Sequence, residues 1–225
     1  MTRGRLTTTT TTATPATPRK RAPKLGPAEY ALLGLIAVAT RDDAASGGGG
    51  VHGYDLSRRL QTGSLAEIIR LEPGMLYHYL KKLDRAGLVV TSVEHQVSRP
   101  DRQDHTLTEE GDAMLQAWLD APVQATRDVR LDFLVKLWFV RELDPVRAVA
   151  LVREQRAVIK RLLGSLQEQR AETTADGDAD AAGPDAAHVA AQAAILRDTL
   201  DLRIAQTQAV LSWLNTLPEN GQIVS

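Results

Sequence analysis

The sequence contains no cysteine, which removes disulfides, thiolate zinc sites and cysteine nucleophiles together and leaves packing as the source of stability. Nor does it hold an apolar run of about eighteen residues, so no membrane span is expected; the richest stretch, Tyr30 to Ala39, ends in threonine, arginine and aspartate. The basic, threonine-rich start lacks the apolar core of a secretory signal, and the chain is expected to remain in the cytoplasm. The five histidines, His52, His78, His95, His105 and His188, form no H-x-x-x-H pair, so no metal is expected. Gly47 to Gly50 lacks the following lysine of a phosphate-binding loop and reads as a spacer. Many of the acidic residues fall in low-complexity sequence, where nothing holds two carboxylates at a set distance. No catalytic residue and no cofactor are expected, and the chain reads as a non-enzyme.

What is present is enough for one medium or two small packed domains: 225 residues, 43% hydrophobic. The net charge of −1 conceals an uneven distribution. Residues 1–24 carry Arg3, Arg5, Arg19, Lys20, Arg21 and Lys24 without an acid, whereas 171–187 carry Glu172, Asp176, Asp178, Asp180 and Asp185 without a base. With its threonine run and few large apolar side chains, 1–24 reads as a disordered tail. Pro27 opens a helix over Ala28 to Ala39, and Arg41 to Gly50 reads as a loop. A second helix is expected over His52 to Gln61. A third follows from Pro73 to about Ala86, stopped by Gly87.

In this third helix Leu76, Leu80 and Leu83 recur at i, i+4 and i+7 and share a face. Gly74, His78, Lys81, Lys82 and Arg85 project from the other side. Leu88 to Val97 reads as a strand, Ser98 to Asp104 as a basic tip, and His105 to Leu107 as the returning strand. Thr108 then caps a helix carrying Met114, Leu115, Trp118 and Leu119. Three helices followed by a hairpin, with the third helix basic, is the plan of a winged helix-turn-helix. Beyond it only helices are expected: Leu131 to Val140, then Asp144-Pro145 to about Arg170, and about Asp185 to Leu217. The fold expected is therefore mainly α with a small β-hairpin. It comprises a tail over 1–24, a winged helix-turn-helix domain over 25–120, a C-terminal α-helical dimerisation domain over 121–217 with a flexible acidic loop at about 171–185, and a tail over 218–225.

In such a plan the N-terminal half of the basic helix enters the major groove, where every base pair is distinguishable. Gly74 permits close backbone approach, Tyr77, His78 and Lys81 are candidates for base contacts, and Lys82 and Arg85 for phosphate. Arg99 and Arg102 are candidates from the wing. The alternative is a solvated basic face on a winged-helix protein-interaction module. On the last helix Leu196, Leu200, Ile204, Leu211 and Leu214 form a stripe flanked by Ile195, Leu202, Val210, Trp213 and Leu217. The helix before it repeats Val152, Ile159 and Leu166 with Leu162 between. This arc suits either a partner chain or an intrachain hairpin. Trp118 is the candidate for contact with an effector, the alternative being core.

Residues spread along the chain carry a resemblance. His52-Gly53-Tyr54-Asp55-Leu56, Pro73-Gly74-Met75-Leu76-Tyr77, Leu80-Lys81-Lys82-Leu83, Gly87-Leu88-Val89, Arg102 and Leu107-Thr108-Glu109-Glu110-Gly111 together resemble PadR-type regulators. Phe133 to Leu137 and Trp213-Leu214 are similar to the longer C-terminal helical domain of one branch of that family. The pattern differs at His78, where a proline often follows the tyrosine, and at His105, where an aromatic is usual. The resemblance implies a homodimeric transcription factor, often a repressor, that binds double-stranded DNA, and two-fold association would place two recognition helices about one DNA turn apart on a near-palindromic operator. It also implies a DNA grip altered by a small aromatic or hydrophobic effector or another signal. An activator or an architectural DNA-binding protein remains the alternative within that class.

Overall fold

The computed structural model describes residues 23–44, 50–94, 102–177 and 186–218. Helix α1, Pro27–Ala44, is apolar nearly all round, and Leu32, Leu33, Leu35 and Ile36 are almost wholly buried. It lies at the centre of the molecule. Gly34 lets α1 approach the Phe139 ring so closely that a Cβ would fall 2.6 Å from it. The helix continues past the expected loop start because Arg41 donates to the carbonyls of Glu142 (2.6 Å) and Leu143 (3.3 Å), groups a distant helix end leaves unpaired.

Strand β1, Val51–His52, leads into α2, Gly53–Gln61, and α3, Ser64–Ile68. Helix α4, Pro73–Arg85, follows, and then β2, Val89–Glu94, and β3, Arg102–Leu107. The strands form an antiparallel sheet in the order β1-β3-β2, with Val51 opposite His105 and Val89 opposite Leu107. The expected two-stranded hairpin is thus a three-stranded sheet. Its returning strand also starts earlier than expected, so Arg102 to Asp104 pair in the ladder rather than forming the tip. Residues 95–101, including Arg99, lie outside the described residues.

Helix α5, Glu109–Asp120, is capped as expected, the Thr108 hydroxyl accepting from Gly111 N at 2.9 Å. Helix α6, Thr126–Asp128, a π-helical turn over Val129–Phe133, and α7, Leu134–Leu143, form one helical run. It begins five residues before the expected start at Leu131. Asp144 caps α8, Pro145–Gly177, accepting from the backbone N–H groups of Val146 and Arg147, both at 3.1 Å. Residues 171–177, expected in the flexible acidic loop, continue α8 because nothing in Ala171 to Asp176 breaks a helix. The remainder of that loop, 178–185, lies outside the described residues.

Helix α9, Ala186–Thr216, packs back along α8. Arg156 secures its end by donating to the carbonyls of Leu214 (2.8 Å) and Leu217 (2.7 Å). Val152, Ile159, Leu166, Leu200 and Leu214, expected at a dimer interface, are buried within the single chain, while Leu162, Ile204 and Leu211 are half-buried. The stripe folds on its own chain because α8 and α9 are adjacent and antiparallel. Leu196, at 49% exposure, is the member of the stripe left open.

Candidate nucleic-acid interface

Helix α4 is held by one face and presents the other. Leu76, Leu80 and Leu83 are at most 3% exposed, whereas Gly74, Tyr77, His78, Lys81, Lys82 and Arg85 are all exposed. Pro73 begins the helix with φ already set, and no side chain caps it. No acid stands in its first turn, and the N-cap residue Glu72 makes no side-chain hydrogen bond to the helix end. Among the described residues, Lys81 and Arg85 have no acidic partner.

Two glycines acquire distinct reasons. A Cβ on Gly53 would come 3.0 Å from Tyr77 Cε1, so this glycine lets the start of α2 seat the tyrosine. A Cβ on Gly74 would meet open space. Nothing inside the molecule therefore requires glycine there, whereas a surface approaching from outside would. Gly74→Ala is expected to stabilise the fold by roughly 0.5 kcal/mol while weakening DNA binding. Melting temperature and mobility shift test the two effects separately, and unchanged binding would remove Gly74 from the interface.

Lys82, expected at phosphate, has its ammonium paired with the Glu29 carboxylate of α1. The Arg102 backbone lies opposite Glu94 in the sheet, and its side chain lies outside the described residues. Tyr54 and Met75, 72% and 42% exposed, were not singled out as site residues. Both stand inside the quoted motifs, beside Gly53 and Gly74, and exposure of a large apolar group is the signal that marks them.

The base of the wing is polar. His52 Nδ1 pairs with the Asp104 carboxylate, and Thr91 Oγ1 lies 3.1 Å from Nδ1 of His105. His105 is only 4% exposed, and burial pushes its imidazole below the ordinary histidine value, with Asp104 and Asp84 opposing the shift and His52 adding to it. The unfolded chain consequently takes up a proton that the native state resists. The stability contributed by neutral His105 is full above about pH 6.5 and is lost as pH falls through the lower native value. Resistance to urea is expected to decline below about pH 6.5 less steeply in His105→Phe than in the parent. Parallel pH profiles would refute this.

Tyr30 lies parallel to Trp118 with centroids 4.4 Å apart, and Lys136 Nζ stands 4.7 Å from the centroid of the indole ring. Lys136, 3% exposed, also donates to Ala121 O at 2.5 Å. Burial lowers its pKa against the opposing field of Asp132. The indole therefore joins α1, α5 and α7, which is the core alternative. Trp138 donates to Ser64 Oγ at 2.9 Å, and Trp213 meets Phe133 edge-on.

Two family matches divide the chain. Residues 46–117 match the transcriptional regulator PadR-like family, and residues 129–219 match the family described as virulence activator alpha C-term. Over residues 46–117 the chain is PadR-like. As a PadR-like protein it is a DNA-binding transcriptional regulator with a winged helix, and members of this family are transcription factors rather than enzymes. The negative transcriptional regulator PadR of Bacillus subtilis is 25% identical over 139 residues, 62% of this chain and 70% of that one. Among solved structures, Bacillus subtilis PadR in complex with operator DNA is 22% identical with a TM-score of 0.38, covering 83% of this chain and 98% of that one. The same protein in complex with p-coumaric acid is 21% identical with a TM-score of 0.35, covering 84% and 99%. A PadR-like regulator from Bacillus cereus is 17% identical with a TM-score of 0.35, covering 87% and 99%. Among the described residues no helix is long and apolar enough to cross a membrane.

Proposed function

We propose that this PadR-like chain is a homodimeric repressor that grips a near-palindromic operator through α4 and the wing and releases it when a small hydrophobic or aromatic effector binds. The observation that carries the reading is the two-sided α4, whose buried leucine seam turns Gly74, Tyr77, His78, Lys81 and Arg85 outward. Such a surface suits major-groove contact at the head of the helix and phosphate contact where it leaves the groove. The wing arginines Arg99 and Arg102 belong to the same proposal. A mobility shift over duplexes enriched from a random pool tests it. Affinity should fall steeply with salt and exceed that for random duplex, and equal affinity for both at physiological salt would sink it.

Dimerisation is supported by the outer flank of α9. Ile195, Leu202, Ala209 and Trp213 share a face by their spacing, and Ile195 and Leu202 are 67% and 59% exposed. Beside them an apolar cleft of about 330 Å³ is lined by Val129, Leu134, Val210 and Trp213. Two-fold pairing would repeat α4 about one DNA turn away. Ile195→Asp with Leu202→Asp is expected to halve the mass seen by light scattering with little loss of helicity. A double variant that keeps the parent mass would move the interface elsewhere.

The sign of regulation has a second reading, activation, favoured by the description of the family matched over 129–219. Deleting the gene and measuring transcripts of promoters the protein occupies separates them: transcripts rise for a repressor and fall for an activator.

A further inference from the structure

By position Lys82 belongs to the basic flank of α4, adjoining Lys81 and three residues before Arg85. Its ammonium is nevertheless paired with Glu29, whose side chain is 6% exposed against 46% for the lysine. The second oxygen of the same carboxylate accepts from Gly26 N at 2.6 Å. Both carboxylate oxygens are engaged, which locks the acid in place at the head of α1.

The asymmetry of burial decides which way the pair can open. Drawing Lys82 away would leave a buried carboxylate uncompensated, a strongly unfavourable state. A phosphate would offer the ammonium a partner only at the wet edge of the duplex, where ion pairs are worth little. Lys82 also releases no counter-ion on meeting DNA, because Glu29 already neutralises it. The leucine seam fixes which side of α4 faces the core, and the ion pair to a locked carboxylate adds a directional restraint on the rotation of the helix about its axis.

We propose that Glu29 is a positioning residue for DNA recognition: it holds Lys82 off the phosphate backbone and sets the rotation of α4, so that Lys81 faces the bases and Arg85 the phosphate. The inference rests on the reading of α4 as the DNA-binding helix. Lys82 is thereby a structural cation on a surface of recognition cations.

The test is the salt dependence of binding by the full chain, measured by fluorescence anisotropy on an enriched operator duplex and on a random duplex. Each phosphate contact contributes about 0.9 to the slope of log affinity against log salt. Lys82→Met is expected to leave that slope unchanged, while Arg85→Met lowers its magnitude by about 0.9. Glu29→Gln, which keeps the bond from Gly26, should free Lys82, steepen the slope on random duplex by about 0.9 and reduce the preference for operator. Adding Lys82→Met to Glu29→Gln should restore the parent slope. A purely structural pair would shift the melting temperature in Lys82→Met, Glu29→Gln and the double variant and leave the slope of each at the parent value, and that result would overturn the proposal. So would a loss of about 0.9 in Lys82→Met alone. If Arg85→Met and Lys81→Ala also left binding unchanged, the assignment of α4 to DNA would fail, and the role of Glu29 with it.

Discussion

Lys81→Ala is expected to weaken binding to the enriched operator about five- to 150-fold, the cost of roughly 1–3 kcal/mol for losing a specific base contact. The expectation follows from where the ammonium stands. Lys81 lies one helical turn beyond Tyr77 and His78 and one turn before Arg85, on the exposed side of a helix whose other face is the leucine seam. Unlike Lys82 it has no carboxylate partner among the described residues. Alanine is the best helix former and the site is exposed, so the melting temperature should change little. Affinity and fold are thus separable in this variant. A base contact predicts that preference for operator over random duplex falls; a phosphate contact predicts equal weakening on both. No change on either duplex would exclude Lys81 from the interface.

Gly111→Ala is expected to destabilise the native state by about 3 kcal/mol or more, near the upper range for overpacking. In a chain of this size that corresponds to roughly 6–12 °C in melting temperature. A Cβ on Gly111 would stand 2.0 Å from the carbonyl oxygen of Leu88 and 2.9 Å from its carbon. Both obstacles are backbone, so no side-chain rotation relieves them. Nor is the carbonyl free to retreat: Leu88 O accepts from Thr108 N at 3.1 Å, and Leu88 N donates to Leu83 O at 3.0 Å. The knot joins the end of α4, the start of β2 and the capped start of α5. Its loss should loosen the recognition helix and the wing together. Urea titration of Gly111→Ala beside Gly74→Ala is the measurement, and equal midpoints for the two would refute the close approach.

The motif Leu107 to Gly111 already contained Gly111, and Pro73 to Tyr77 contained Gly74, but no spacing rule distinguishes these glycines. One is indispensable to the fold because a carbonyl passes beside it, while the other faces open space. The same holds for the basic pair on α4. Lys81 and Lys82 are neighbours of identical chemistry, and they part only because Glu29, 53 positions earlier, lies beneath one of them.

Other signals were legible because they are local. The leucine spacing of α4, the Thr108 cap and the Asp144-Pro145 start of α8 each depend on residues within about two helical turns, and each lies where the sequence places it. Strand β1 was not legible: two residues carry no periodicity, and they are extended only because β3 pairs with them. The five-residue α3 is too short for a period to register. The end of α1 depends on Arg41 reaching carbonyls about a hundred residues away.

For the winged-helix regulator, then, the residue order from Gly53 to Gly111 by itself determined the PadR-like pattern, the two-sided α4 and the wing that follows it, since caps, turns and apolar periods act over a few residues. Only the tertiary structure decided which basic side chain of that helix is paired with an acid, that Trp118 packs against Tyr30 and Lys136, and that the central stripe of α9 serves the chain's own core while its flank stays exposed. Those outcomes depend on which faces of distant segments meet, and burial, unlike spacing, is a property of the partner as much as of the residue.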